Sequence, residues 1–198
     1  MSNNPSIFRK KGNTKAFIDA YEEVLGLWKI PYEEMMISTR FGETHIVAAG
    51  PKDAEPLILI HGMTYSATMW YPNVEALTSR YRIYALDTIG DLGKGNVTRV
   101  MKSPQDAVEW LDDILSGLHL SSVVFIGHSM GGWLAMNYAI HSPERVEKLI
   151  LCAPAAGIHK VTPKFLFKVY PAVLYPTETR IRKEVSWFLS PVFQSEEK

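Results

Sequence analysis

Gly127-His128-Ser129-Met130-Gly131 is the stretch that decides how this chain is read. It is a G-x-S-x-G motif. It follows Ser121-Ser122-Val123-Val124-Phe125-Ile126, an apolar run that reads as a buried strand. After it comes Gly132-Trp133-Leu134-Ala135-Met136-Asn137-Tyr138-Ala139, which reads as a helix packed by small residues. Strand, sharp turn and helix form the context that a nucleophile elbow requires. A serine on such a turn is held in strained backbone geometry with its hydroxyl lifted above the sheet. Gly127 and Gly131 flank Ser129 two residues away on each side, where a Cβ would collide with neighbouring backbone. The helix that starts after Ser129 points its first N–H groups toward any oxyanion formed there.

Two blander readings compete. Glycine and serine are common, so isolated matches arise by chance; the flanking strand and helix remove most of that chance. Gly127-x-x-x-Gly131-Gly132 also resembles a loose dinucleotide loop. It lacks the G-x-G-x-x-G spacing, and no acidic residue ends a strand about 20 residues on.

A second motif supports the serine. Pro56-Leu57-Ile58-Leu59-Ile60 is a short apolar strand that runs into His61-Gly62-Met63-Thr64. Acyl transfer needs a second backbone donor facing the serine, from a loop after an earlier strand. Gly62 permits a tight turn that would aim the N–H of Met63 inward. The N–H of Met130 would be the other donor of the oxyanion hole. His61 opens this loop; a buried structural role is the commoner outcome than a base.

With these residues in place, the chain resembles the α/β-hydrolase superfamily, in its esterase, lipase and haloperoxidase-like branch. The likeness is carried by His61-Gly62, Trp70 in the following helix, Asp87 with the glycine-rich loop to Gly95, and Gly127-His128-Ser129-Met130-Gly131-Gly132. More narrowly it is similar to Bacillus-type carboxylesterases with a long N-terminal helical arm. The resemblance is strong over residues 30 to 155 and loose elsewhere. It implies Ser129 as nucleophile and Met63 and Met130 as oxyanion donors.

Family members continue beyond the length of this chain, with a triad in the order Ser, then Asp or Glu, then His. This sequence reaches Glu196-Glu197-Lys198 within the expected cap. After Ser129 the histidines are His141 and His159. His141 ends the helix that begins at the elbow, about 18 Å along its axis. His159 falls in a loop before the cap. Neither has the position of a catalytic base, and the expected acid and base are absent. His45, His119 and His128 read as strand, helix-end and elbow residues.

Bulk properties narrow the classes. At 198 residues the chain fits one domain with a sizeable core. Acidic and basic residues number 21 each, so the formal net charge is zero and no basic stripe suggests nucleic acid. Arg9-Lys10-Lys11 reads as a solvated terminus. Cys152 is the single cysteine, so no internal disulfide is possible. It lies in the apolar run Leu149–Ala153 and is expected in the core rather than reactive. The N-terminus lacks an apolar signal region, Asn96-Val97-Thr98 therefore means little as a glycosylation acceptor, and Phe165–Tyr175 is too short and interrupted to span a bilayer. A cytoplasmic protein with a small-molecule ester as partner, no nucleic acid, no membrane, no metal and no organic cofactor is the expectation. Oligomeric state is not given by the sequence.

Residues 14 to 29 place Phe17, Ile18, Tyr21, Val24, Leu25 and Trp28 on one helical face, ended by Pro31. This face belongs to an arm docked on the body or to a partner-binding helix. Glu34–Arg40 and Thr44–Ala49 read as a hairpin around Phe41-Gly42-Glu43. Strands at Leu57–Ile60, Arg82–Leu86, Val123–Ile126 and Lys148–Cys152 then alternate with helices at Thr68–Ser79, Ser103–Gly117 and Met130–His141. This alternation implies a mostly parallel sheet flanked by helices, with function at the carboxyl ends of the strands. His61, Asp87 and Ser129 all fall there. Asp87-Thr88-Ile89-Gly90-Asp91-Leu92-Gly93-Lys94-Gly95 lacks the order of a phosphate loop, and Asp87 is expected to cap backbone N–H groups.

The fold class is therefore α/β, an α/β-hydrolase fold truncated in the cap before the last strands. Its expected divisions are a helical arm over 1–31, a partial core over 32–155 and the start of a cap or lid over 156–198. Aromatic residues from Phe165 to Phe193 would lie on short amphipathic cap helices. Nothing after Cys152 looks able to pair with Lys148–Cys152, so an exposed sheet edge is expected. The function this implies is an acyl-enzyme carboxylesterase on Ser129, inactive as the 198-residue chain alone. Perhydrolase or carbon–carbon hydrolase chemistry, or a non-catalytic binding role, remain open alternatives. A serine at the elbow argues against dehalogenase and epoxide hydrolase chemistry.

Overall fold

The computed structural model describes residues 11–155, 162–175 and 177–188. His159 and Phe193 lie outside these residues, as do the expectations placed on them. The chain divides into two compact units, Met1–Ile158 and His159–Lys198.

The first unit is built on one mixed sheet. Its strands are β1 (Tyr32–Thr39), β2 (Gly42–Ala49), β3 (Glu55–Ile60), β4 (Tyr81–Leu86), the two-residue β5 (Asn96–Val97), β6 (Val123–His128) and β7 (Val146–Cys152). The spatial order is β1-β2-β4-β3-β6-β7, with β5 paired to β2. The β4-β3-β6-β7 half is parallel, and the β1-β2-β4 half is antiparallel. Parallel central strands are covered on both faces, so β3 reads as an unbroken apolar run. Side chains alternate across a strand. Leu57 and Leu59 therefore enter one buried cluster, and Ile58 and Ile60 enter another on the opposite face.

The helices α3 (Pro104–Gly117) and α4 (Met130–His141) cover the Ile58/Ile60 side. Ser103 caps α3: its hydroxyl accepts from Asp106 N–H at 3.1 Å, and Asp106 Oδ2 accepts from Ser103 N–H at 3.0 Å. Pro104 occupies the first helical position, where its missing N–H costs nothing. Ala107, Val108, Trp110, Leu111, Ile114 and Leu115 form the buried stripe. The other side is covered by α1 (Lys11–Leu25) and α2 (Val74–Thr78), with Tyr21, Leu25, Trp28, Trp70 and Val74 buried there. α1 is thus docked on the body, as the commoner reading of its apolar face expects.

Four expectations are corrected. α1 stops at Leu25, before Gly26, rather than at Pro31. The expected helix Thr68–Ser79 is broken into a 3₁₀ turn, Ala67–Trp70, and α2. Pro72 lies between them; it has no N–H to donate, and its ring blocks the preceding turn. Cys152 is exposed, not in the core. β7 is the terminal strand of the sheet among the described residues, so an apolar run there is not enclosed. The expected exposed edge is present on the same terms. The hairpin turn falls at Arg40-Phe41, one residue earlier than read, since Thr39 pairs with Gly42.

The second unit contains α5 (Pro163–Leu174) and α6 (Glu178–Phe188). Thr162 caps α5 by accepting from Phe165 N–H at 3.3 Å. Both helices fall where short amphipathic helices were expected.

Candidate active site

β6 ends at His128, α4 begins at Met130, and Ser129 is the single residue between them. Its backbone has φ 52° and ψ −114°, a region that residues with a Cβ rarely occupy. Holding it there costs on the order of 1–3 kcal/mol, which surrounding structure must supply. Ser129 N–H donates to Cys152 O at the end of β7, at 3.0 Å. Its carbonyl accepts from Trp133 N–H in α4 at 3.1 Å and from Ala155 N–H at 2.9 Å. The turn is thus tied to the neighbouring strand and to its own helix.

Close approach explains the glycines. A Cβ on Gly131 would lie 2.2 Å from Ile60 O, and one on Gly127 would lie 2.5 Å from Gly131 O. Both obstacles are backbone, which cannot swing aside. On the facing loop, a Cβ on Gly62 would come within 2.7 Å of His128 Nδ1 and 3.3 Å of Ser129 Cβ. The loop after β3 therefore lies directly against the elbow. Tyr65 N–H donates to Gly62 O at 3.2 Å, which closes a turn around Met63 and Thr64. Asp91 clamps this turn from outside, accepting from Thr64 N–H at 3.1 and 2.9 Å through its two oxygens. Thr64 itself has φ 68°. Burial raises the Asp91 carboxyl above its ordinary range, against the pull of the Leu92 and Thr64 N–H groups.

His61 is buried, and both its ring nitrogens are engaged. Nε2 accepts from Thr88 N–H at 2.9 Å, so the ring proton sits on Nδ1 and donates to Gly62 O at 2.7 Å. His61 therefore ties the β3 loop to the loop after β4, the structural role its position suggested. Asp87 does the same for three segments. It accepts from Ala67 N–H at 2.8 Å, Lys94 N–H at 2.9 Å and His45 Nδ1 at 2.9 Å, and from the Tyr21 hydroxyl. The expectation that Asp87 caps backbone N–H groups is met, with a side-chain set the sequence did not suggest. Among the described residues no group of three or more His, Cys, Asp or Glu is arranged to hold a metal ion.

A family model described as "alpha/beta hydrolase fold" matches residues 55–180. The chain belongs to the α/β-hydrolase fold family.

Its relatives within that family include Carboxylesterase YbfK of Bacillus subtilis, 45% identical over 139 residues that cover 70% of this chain and 47% of that protein. The "Uncharacterized carboxylesterase nap" of the same organism is 42% identical over 156 residues, covering 78% of this chain and 52% of its own. The chain thus spans about half the length of the curated relatives it matches. Among solved structures, naproxen esterase (carboxylesterase NP) from Bacillus subtilis superposes with a TM-score of 0.84 at 35% identity. That match covers 96% of this chain and 66% of the other.

In this α/β-hydrolase fold Gly62 and the elbow residues Gly127, Ser129 and Gly131 come together at the carboxyl ends of β3 and β6, with Met63 and Met130 next in the chain to Gly62 and Ser129. His141 is the last residue of α4, its ring bonded to Asn137 O at 2.8 Å and remote from the elbow end. Sequence reasoning missed a groove of about 530 Å³ that His128 helps to line. Phe17 and Val24 of α1 line it together with Tyr65, Met69 and Leu92. The apolar stripe of α1 was visible in the sequence; that part of it faces a groove was not. Asp91 was also missed, since nothing local signals a partner 27 residues away. Among the described residues no helix is long and apolar enough to cross a membrane.

Proposed function

We propose that the protein is a serine hydrolase that cleaves carboxylic esters through an acyl-enzyme on Ser129. One observation carries this reading: a serine in a disfavoured backbone conformation stands between β6 and α4 with the Gly62 loop against it. Evolutionary likeness to proteins named carboxylesterases supports the choice of ester over other acyl compounds.

In this reading Ser129 Oγ adds to the ester carbonyl carbon while a general base takes its proton. The carbonyl oxygen becomes an oxyanion. Met63 N–H and Met130 N–H hold it, each donor worth about 3 kcal/mol of barrier. Collapse expels the alcohol, which receives the proton, and leaves an acyl-serine ester. Water then repeats the sequence and releases the acid. Gly62, Gly127 and Gly131 keep the donors and the nucleophile in register by admitting backbone where a Cβ would intrude. His61 is not the base, because both ring nitrogens are committed to backbone partners. In this reading the segment from residue 156 onward begins a cap. The 198-residue chain alone turns over esters feebly, since the oxyanion donors and binding give only a residual rate without a base and acid.

A fluorophosphonate probe tests the assignment. In the full-length protein it is expected to label Ser129, and Ser129→Ala is expected to abolish both labelling and turnover of p-nitrophenyl esters. Undiminished turnover by Ser129→Ala would overturn it.

A further inference from the structure

His128 precedes Ser129 and has one ring edge shut away. Its Nδ1 is buried, lies against Gly62 and has no hydrogen-bond partner. Burial lowers the proton affinity of the ring, so it is neutral near neutral pH. A neutral imidazole carries one N–H. An orphaned buried N–H is rarer than an unpaired acceptor, because the donor loses its only hydrogen bond. The proton therefore belongs on Nε2. The residue as a whole is half-buried, so the solvent it meets lies along the edge away from Nδ1.

His128 also lines the groove of about 530 Å³. Tyr65 stands edge-on to the His128 ring, with ring centroids 6.3 Å apart and planes at 88°. Phe17 and Val24 supply a wall from α1, and Met69 of the 3₁₀ turn and Leu92 of the loop after β4 add apolar surface. Among the described residues no Asp, Glu, Lys or Arg lines the groove; its polar lining is neutral, from Thr64, Ser66, Thr68 and Tyr71 besides His128. A charged ligand would be desolvated there without a counter-charge, which is costly. A neutral, largely apolar group loses nothing comparable and gains from burial.

We propose that this groove is the specificity pocket for an uncharged aryl or alkyl portion of the substrate, and that His128 Nε2–H donates to an acceptor oxygen on that portion. The proposal deepens the hydrolase reading and rests on it for the word substrate. The arm α1 is then part of the pocket as well as of the scaffold.

The test reads binding rather than turnover. Calorimetric titration of the full-length protein compares 4-acetylphenylacetamide with 4-isopropylphenylacetamide, which keeps the amide and nearly the same shape but has no acceptor oxygen on its ring substituent. Both are amides, so neither is consumed on the timescale of a titration. Wild type is expected to bind the acetyl compound more tightly. His128→Phe is expected to weaken the acetyl compound about tenfold and the isopropyl compound less than twofold. His128→Gln, which keeps an N–H donor, is expected to recover most of that loss. Phe17→Ala is expected to weaken both compounds by a similar factor. No binding by wild type, equal affinity of the two compounds for wild type, or an equal effect of His128→Phe on both would overturn the proposal. If wild type binds as expected but hydrolyses no ester, the groove assignment stands and the hydrolase reading falls.

Discussion

Tyr21 Oη donates to both carboxylate oxygens of Asp87, at 3.3 and 3.1 Å, and so pins the N-terminal helix to the loop after β4. Burial, then the Asp87 carboxylate beside it, pushes the Tyr21 hydroxyl far above its ordinary range. It therefore stays protonated and remains a donor throughout the physiological range. The same carboxylate receives His45, whose other ring nitrogen meets Glu34 at 2.8 Å. Lys94 completes the cluster by pairing with Glu34 and, at 2.6 Å, with Glu22 of α1. Tyr21→Phe removes one charge-assisted bond and keeps the ring. Its expected cost is about 2 kcal/mol, since Asp87 keeps its other donors. Equilibrium urea unfolding measures this. A further expectation is a selective rise in hydrogen exchange across α1, because the arm loses the Tyr21 tie to Asp87.

The arm also shows what a sequence can and cannot disclose. Its stripe from Phe17 to Leu25 follows helical spacing, so helix and buried face were legible from periodicity alone. The Tyr21–Asp87 bond joins residues 66 apart, and no local pattern encodes it. The elbow was legible because its glycines must admit backbone at fixed positions. The break at Pro72 was also written in the sequence, yet the apolar pattern on either side ran across it. Cys152 misled for a different reason. An apolar strand is buried only if neighbours cover it, and that is decided by topology rather than by composition.

Arg40 and Asp113 give a pH-dependent prediction. Arg40 ties the β1–β2 turn to α3, donating to Asp113 from its backbone N–H at 2.9 Å, from Nε at 2.9 Å and from Nη2 at 2.8 Å. Partial burial pushes the Asp113 carboxyl up, but the Arg40 donors more than offset this and leave it below the usual carboxylate range. The folded state therefore holds this proton less tightly than the unfolded state does. The stabilisation is complete above the ordinary carboxylate pKa of about 4 and is lost as pH falls through the lowered value. The Arg40 side chain is 45% exposed, so screening keeps the contribution near 1 kcal/mol. Asp113→Asn is expected to lower the melting temperature at pH 7, with a smaller difference from wild type as the buffer is made strongly acidic. A constant difference across that range would remove the ionic explanation.

Thr44 and Trp110 make a bond inside the α3 side of the core. Trp110 Nε1 donates to Thr44 Oγ1 at 2.8 Å, and both residues are fully buried. Thr44→Val keeps the shape and deletes the acceptor. The indole N–H is then stranded in a dry site, at an expected cost of about 2 kcal/mol. Thr44→Ser keeps the hydroxyl and is expected to lose less. Chemical denaturation of the two variants separates the hydrogen bond from the methyl group.

Gly131 and Gly62 both face tight contacts, but the contacts differ in kind. At Gly131 a Cβ would meet Ile60 O at 2.2 Å and His61 O at 2.6 Å, both fixed by β3. Gly131→Ala must push α4 away from the sheet, with an expected loss of stability on the order of 3 kcal/mol. At Gly62 the nearest atoms belong to the His128 ring, at 2.7 Å, and to Ser129 Cβ, at 3.3 Å. Side chains give way more cheaply than backbone, so Gly62→Ala is expected to keep most of the stability. What it disturbs is the spacing between the β3 loop and the elbow serine, where small misplacements cost reaction rate steeply. In the full-length protein Gly62→Ala is expected to lower kcat on p-nitrophenyl acetate at least tenfold while its melting temperature stays within a few degrees of wild type. Gly131→Ala is expected to show the reverse order, with stability lost first. Thermal melts paired with steady-state kinetics decide it. A Gly62→Ala variant with wild-type kcat would show that the facing loop does not set the geometry at Ser129.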